Sequence, residues 1–520
     1  MQYVLGNMLN GGGGLNADGL SLDLQFAADK TLAARRGPTP AFSRASSGIF
    51  VNANGLIVGK TAGTTSSITP STQAIGSQVT VTVASGSVVG WVVGQAISLI
   101  VDTDGQDDPD ATELWLLGNI VSTTGTTLVF EVTSRTAQAG SATSWTLGYR
   151  GPRFDHDPVT LVCRGLLIEE SRTNLSLQSG VIVNNSGWAT LDVTAAVSGT
   201  GLDGNNAYKI SEAASTNIHA LVNLGGTGAA SATSVVSGTN YTGSVFVKKV
   251  TGSVDWVQLT LGTAGFGALQ FANFNIGNGT IGNYTGLTSG TVPRIQEFPN
   301  GWYRISMTAP ATATATTSNV ILAFTNNTDT TTRAPSYLGS TSNEVLTSLW
   351  QFEAGSFPTS YIPTTTGTLA RSADVCSIAN TASFWNSDQF TLFGNANFPN
   401  PAHDAYAANF SITNGFFGVR RPNTNTATAI IRSLGVNADI SLGTFVTGTM
   451  RMAVAHSSGQ QAAAFNGGSA TQASSAFSPS LNPALNIGYS GSAGYINGHI
   501  AAIRYYKKRL PNARLAQLTA

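Results

Sequence analysis

Cysteine is nearly missing from this chain: Cys163 and Cys376 are the only two in 520 residues. That excludes a disulfide-stapled secreted scaffold and makes assembly in a reducing compartment the simpler expectation. Charge is scarce as well. Lys and Arg number 26 and Asp and Glu 26, 10% of the chain, for a net charge of +0. Such a chain has no long-range field to draw it onto nucleic acid, whose binding rests on Lys and Arg contacts to phosphate, so nucleic acid is not an expected partner. No run of 18 or more apolar residues occurs, so no helical insertion into a membrane is expected. Met1 to Asn10 has neither the basic start nor the continuous apolar stretch of a secretory signal, so export is not expected to explain where the chain acts. A nucleophile elbow, a phosphate loop, zinc-ligand spacing and HExxH are also missing from the sequence.

What is there points to strands. Gly numbers 58, and windows rich in Thr, Ser, Val, Ala and Asn suit short strands joined by tight turns. A hydrophobic content of 42% and a mean hydropathy of +0.07 argue against disorder. The length exceeds one compact core and predicts three or four domains. The expected fold is all-β: several β-sandwich or jelly-roll modules in tandem, with a small barrel-like β module inserted in the N-terminal domain. A surface of hydroxyls and amides suits neutral sugar ligands or close association of identical chains. Composition does not choose between them.

The most irregular stretch runs Pro152-Arg153-Phe154-Asp155-His156-Asp157-Pro158-Val159-Thr160-Leu161 and on through Arg164-Gly165-Leu166-Leu167-Ile168-Glu169-Glu170-Ser171-Arg172-Thr173-Asn174-Leu175. Its prolines favour extended backbone, and Leu166-Leu167-Ile168 reads as a short apolar strand. This stretch resembles the "RFDHDPVT…RGLLIEE.RTNL" segment of tailed-phage fibre, spike and minor structural proteins. The Phe42-Ser43-Arg44-Ala45-Ser46 strand and the Gly48 to Ile57 hairpin resemble the element that precedes it in that family. Here the two halves are separated by about 90 intervening residues, a departure from the family's common arrangement.

Four units are expected. Residues 1–59 with 150–178 form an N-terminal virion-attachment or connector domain, after a four-glycine hinge at Gly11 to Gly14. Residues 60–149 form the inserted small β module, whose ends must lie close together. Residues 179–372 resemble a carbohydrate-binding-module-like jelly roll, with landmarks at Gly301 to Arg304 and Glu353 to Pro363. Residues 373–520 resemble a concanavalin/laminin-G-like lectin sandwich closed by a strand and a short helix, with Pro511 suited to the first helical turn.

Candidate sites are few. Asp102, Asp104, Asp107, Asp108 and Asp110 crowd around Gly105, and hard oxygen donors at a Gly turn suit calcium. The loop lacks the bidentate Glu of an EF-hand, so a solvated acidic loop is the competing reading, and no other cofactor is expected. Asp155, His156 and Asp157 have no second histidine or cysteine nearby and are expected to make structural hydrogen bonds. Glu169 and Glu170 are strand neighbours that point to opposite faces, so they cannot flank one glycosidic bond; one is expected to turn inward toward Arg172 or Arg164. Trp256, Trp302 and Trp350 are expected in the core. Trp188 and the pair Tyr489 and Tyr495, which flank the Ser490 to Gly494 loop, are the candidate sugar platforms.

The resemblance implies a non-enzymatic virion protein of tail-fibre or spike type, homotrimeric and assembled in the host cytoplasm. Its N-terminal part would contact other tail or head proteins, and its outer modules would bind host cell-surface glycans. The rival readings are a head fibre or capsid decoration protein and, with no regular β-helix repeat visible, a capsular depolymerase.

Overall fold

The computed structural model describes residues 18–84, 87–101, 112–182, 187–223, 233–250, 252–288, 293–399, 405–412, 415–421, 426–433, 436–437, 440–444, 448–474, 483–491 and 494–520. Strand accounts for 53% of the molecule and helix for 5%, so the all-β, multi-module reading holds.

Residues 60–149 close into a barrel of strands Lys60–Ile68, Gln78–Val83, Ala96–Ile100, Trp115–Thr124, Thr127–Arg135 and Ala142–Tyr149. The alternation of Gln78–Val83 dictates its placement: Val79, Val81 and Val83 turn inward while Gln78, Thr80 and Thr82 face solvent. Tyr149 N–H donates to Gly59 O at 2.7 Å, so the barrel leaves the chain almost where it enters.

The jelly roll is two six-stranded antiparallel sheets. One holds Val193–Thr200, Asn206–Glu212, Glu344–Ala354, Asn240–Lys249, Trp302–Pro310 and Arg294–Phe298 in that order; the other is built around Val320–Phe324 and Trp256–Leu261. Val245, Val257, Leu259, Phe274, Trp350 and Phe352 fill the space between them. Asn240–Lys249 reads as an alternating strand, yet Tyr241 through Val247 are all buried. Its outer face is covered, because Ile49 and Ile57 of the N-terminal hairpin pack there against Phe246, Phe298, Trp302 and Tyr361.

The C-terminal sandwich draws strands from the whole chain. Gly498–Tyr506 pairs on one side with Gln389–Phe398; on the other it pairs with Cys163–Ile168 along its first half and Leu20–Leu24 along its second. Arg153–His156 extends that sheet beyond Cys163–Ile168. In the facing sheet, Ala41–Ser43 pairs with Val375–Ile378. Residues 1–59 and 150–178, grouped by sequence into one domain, therefore do not stand apart where they are described. Their strands are edge and inner members of the C-terminal sandwich, and their 50–58 hairpin lies on the jelly roll. The physical reason is that Leu22, Leu24, Phe154, Leu166 and Ile168 are too few to enclose a core and join that of Phe390, Phe410, Ile500 and Tyr505. The closing helix, Asn512–Thr519, has Pro511 as its N-cap, one position earlier than expected, and buries Leu515 against Ala453, Ala455, Ala462 and Ala464.

Candidate functional site

Where barrel exit, connector, jelly roll and sandwich meet, buried charges are tied together. Arg153 donates through Nη1 to Glu169 at 2.6 Å, to Ser360 Oγ at 2.8 Å and to Ile49 O at 3.0 Å, and through Nη2 to Asp374. Arg44 reaches the other Asp374 oxygen at 2.8 Å and caps the carbonyl of Tyr149 at 2.9 Å. Arg371 meets Glu169 at 3.1 Å and donates to the Glu170 carbonyl at 2.6 Å. Two arginines and two Ser360 donors hold the Glu169 carboxyl far below the usual carboxylate range despite its burial.

Beside this cluster lies a cavity of about 500 Å³, within the ~300–1,000 Å³ typical of small-ligand sites. The connector contributes Asp155, Arg164, Leu167 and Glu169 to its wall, the N-terminal hairpin Phe50 and Ile57, and the sandwich Asn497 and His499. The jelly roll adds Arg294, Gln296, Phe298, Arg304 and Ser306. Asp155 accepts the Val51 N–H at 2.6 Å and meets His499 Nε2 at 2.7 Å. Arg164 pairs with Asp157 at 2.6 Å, and Asp157, which also caps the backbone N–H groups of Val159 and Thr160, has its pKa lowered to about 2 although burial opposes this. His156 Nδ1 lies 3.3 Å from Val51 O.

The sequence-predicted platforms lie elsewhere. Trp188 is 3% exposed, set edge-on to Trp350 at 5.0 Å with its indole N–H on Val181 O, so its ring faces core and not solvent. Tyr489 is buried as well, at 5% exposure. It stacks on Tyr495 at 5.5 Å, which leaves Tyr495 half-buried and neither ring standing free. These three rings do not form an open platform, because each is spent on packing. Trp302 and Trp350 are buried, while Trp256 is half-buried over Gly282. Glu169 does turn inward, but to Arg153 and Arg371; Glu170 pairs with Arg172 at 2.5 Å. Asp102, Asp104, Asp107, Asp108 and Asp110 lie outside the described residues, and among those described no three His, Cys, Asp or Glu side chains gather as a metal site. Sequence reasoning missed Arg294, Arg304 and His499. Gln296-Glu297 breaks the period-two pattern of residues 294–298, and only the register brings that strand against Trp302–Pro310.

No protein-family model and no curated protein matches the chain. Among solved structures, the Ruminococcus gnavus IT-sialidase CBM40 bound to alpha2,6 sialyllactose is 14% identical over 26% of this chain and 85% of its own, with a TM-score of 0.24. Mouse laminin alpha1 chain, domains LG4-5, is 7% identical, covering 66% and 93%, with a TM-score of 0.21. Trypanosoma rangeli sialidase is 9% identical, covering 95% and 96%, with a TM-score of 0.24. At such TM-scores these similarities carry neither the fold nor the function.

Proposed function

We propose that this chain is a virion structural protein of tail-fibre or spike type that attaches to host-surface glycans by non-catalytic binding. The observation that carries this reading is that the segment resembling phage structural proteins, Arg153 to Asn174, itself walls the junction cavity through Asp155, Arg164, Leu167 and Glu169. Apolar rings beside polar side chains suit a saccharide, whose ring faces are apolar and whose rim is hydroxyl. The two carboxylates of the wall are committed elsewhere: Glu169 is held ionised by two arginines, the opposite of the raised pKa a glycosidase acid needs. Millimolar contacts become effective when repeated around a homotrimer and across many fibres. Contacts to other tail or head proteins are assigned to the N-terminal part.

The test pairs a host-polysaccharide array, read with the purified chain, with localisation in purified particles by electron microscopy. Binding without release of reducing sugar, at the distal end of a tail appendage, is the expected result. Absence from the particle, or turnover of the polysaccharide, overturns it.

A further inference from the structure

Arg294–Phe298 pairs with Trp302–Pro310 so that Arg294 lies opposite Ser306 and Gln296 opposite Arg304. Residues two apart on a strand share a face, so Arg294, Gln296, Arg304 and Ser306 all point the same way, and all four line the junction cavity. Diagonal neighbours on one sheet face stand roughly 7–8 Å apart, which sets the two arginines at diagonal corners of one small polar patch.

The other charged groups of the cavity are already matched. Asp155 is hydrogen-bonded to His499 and to the Val51 N–H, Glu169 is paired with Arg153 and Arg371, and Arg164 with Asp157. Arg294 donates to Pro399 O at 3.0 Å; Arg304 donates to Ser244 Oγ at 3.0 Å and lies over the Phe246 ring at 5.5 Å. Neither arginine has a carboxylate within 4.0 Å among the described residues. Glu353 and Glu169 favour the Arg304 charge from further away, but the Glu353 oxygens are taken by Gln351 and Thr359. Among the described residues around the junction, then, Arg44, Arg153, Arg371, Arg294 and Arg304 stand against Asp155, Glu169, Glu353 and Asp374, an excess of one positive charge beside the cavity. Burial lowers the pKa of both Arg294 and Arg304, the mark of charges short of a counter-ion.

Resting on the glycan-binding reading, we propose that this cavity takes a carboxylate-bearing sugar, its carboxylate held by Arg294 and Arg304 and its hydroxyls by Gln296 and Ser306. Guanidinium groups match a planar carboxylate through paired N–H donors, which a lysine cannot reproduce. Phe246 and Phe298, on the same face, are buried beneath the patch, and the Phe246 ring supports the Arg304 guanidinium.

The test is calorimetric titration of the full chain with sodium glucuronate, N-acetylneuraminate, glucose and inorganic phosphate, alongside Arg294→Gln and Arg304→Lys. The expected result is millimolar binding of at least one sugar acid, at least tenfold tighter than glucose, weakened tenfold or more in each variant at unchanged melting temperature. If Arg304→Lys loses its fold, Arg294→Gln decides, because among the described residues Arg294 makes a single backbone hydrogen bond, to Pro399 O. Equal binding of glucose and the acids, full affinity in Arg294→Gln, or phosphate competing as well as the acids overturns the inference alone. If no saccharide binds in any arm, the glycan reading beneath it falls too.

Discussion

Arg153 and Glu169 meet at 2.6 Å with both side chains sealed from solvent, and the same guanidinium holds Asp374. Removing one member leaves uncompensated buried charge, so Arg153→Met is expected to cost about 3–5 kcal/mol. The double change Arg153→Met with Glu169→Gln is expected to recover part of that. Urea unfolding midpoints check this, and a single variant as stable as the parent refutes the locking role.

Gly165 has a φ of +110°, and a Cβ there would stand 2.1 Å from the Ile500 carbonyl oxygen. No rotamer relieves a clash with backbone. Gly165→Ala is therefore expected to lose more than ~1 kcal/mol and to loosen the pairing of Cys163–Ile168 with Gly498–Tyr506. Amide hydrogen exchange along those strands reads it, and unchanged protection at Leu166 and Ile500 counts against it.

His456 is 1% exposed beside Phe390, and burial lowers its pKa to about 4. An unfolded histidine titrates near ~6.5. Below that pH the unfolded chain gains a proton that the folded chain refuses, so stability falls from about pH 6.5 to about pH 4 and then levels. Buried His156, its pKa also lowered, acts in the same direction. His456→Gln is expected to flatten the slope of melting temperature against pH over this window. Parallel slopes for parent and variant would show that the ring does not remain neutral.

Cys376 is fully buried and Cys163 nearly so, and burial raises both thiols above their ordinary pKa. Thiolate is the reactive form. Native chain at pH 8 is expected to resist iodoacetamide at Cys376 and to react slowly at Cys163, with both labelled quickly in urea. Rapid native labelling of Cys376, read by peptide mass, disproves the packing around it.

The period-two pattern of Val79-Thr80-Val81-Thr82-Val83 and the nearness of the barrel's ends could be read from residues alone, because both follow from local pattern and chain continuity. The sharing of strands could not. Leu20-Ser21-Leu22-Asp23-Leu24 announces a strand, but nothing in it names Ile503 to Tyr506 as its partner. The same limit hid the cavity: Arg294 and Arg304 are separate residues in the sequence and one patch only once the register is known. The aromatic candidates went the other way. Trp188, Tyr489 and Tyr495 carry the composition of a sugar platform, but their apolar area is more useful inside the modules, where other rings cover it.

Ser21 Oγ donates to the Tyr505 carbonyl oxygen although the two stand 484 positions apart in the chain. Leu20–Leu24 must wait for Ile503 to Tyr506 to be made before the pair can form, so the sandwich closes after the barrel, whose strands all lie within residues 60–149. A copy broken off before Gly498 leaves Leu20–Leu24, Cys163–Ile168 and Gln389–Phe398 without the strand they share. Unfinished copies thus expose raw edges to proteases.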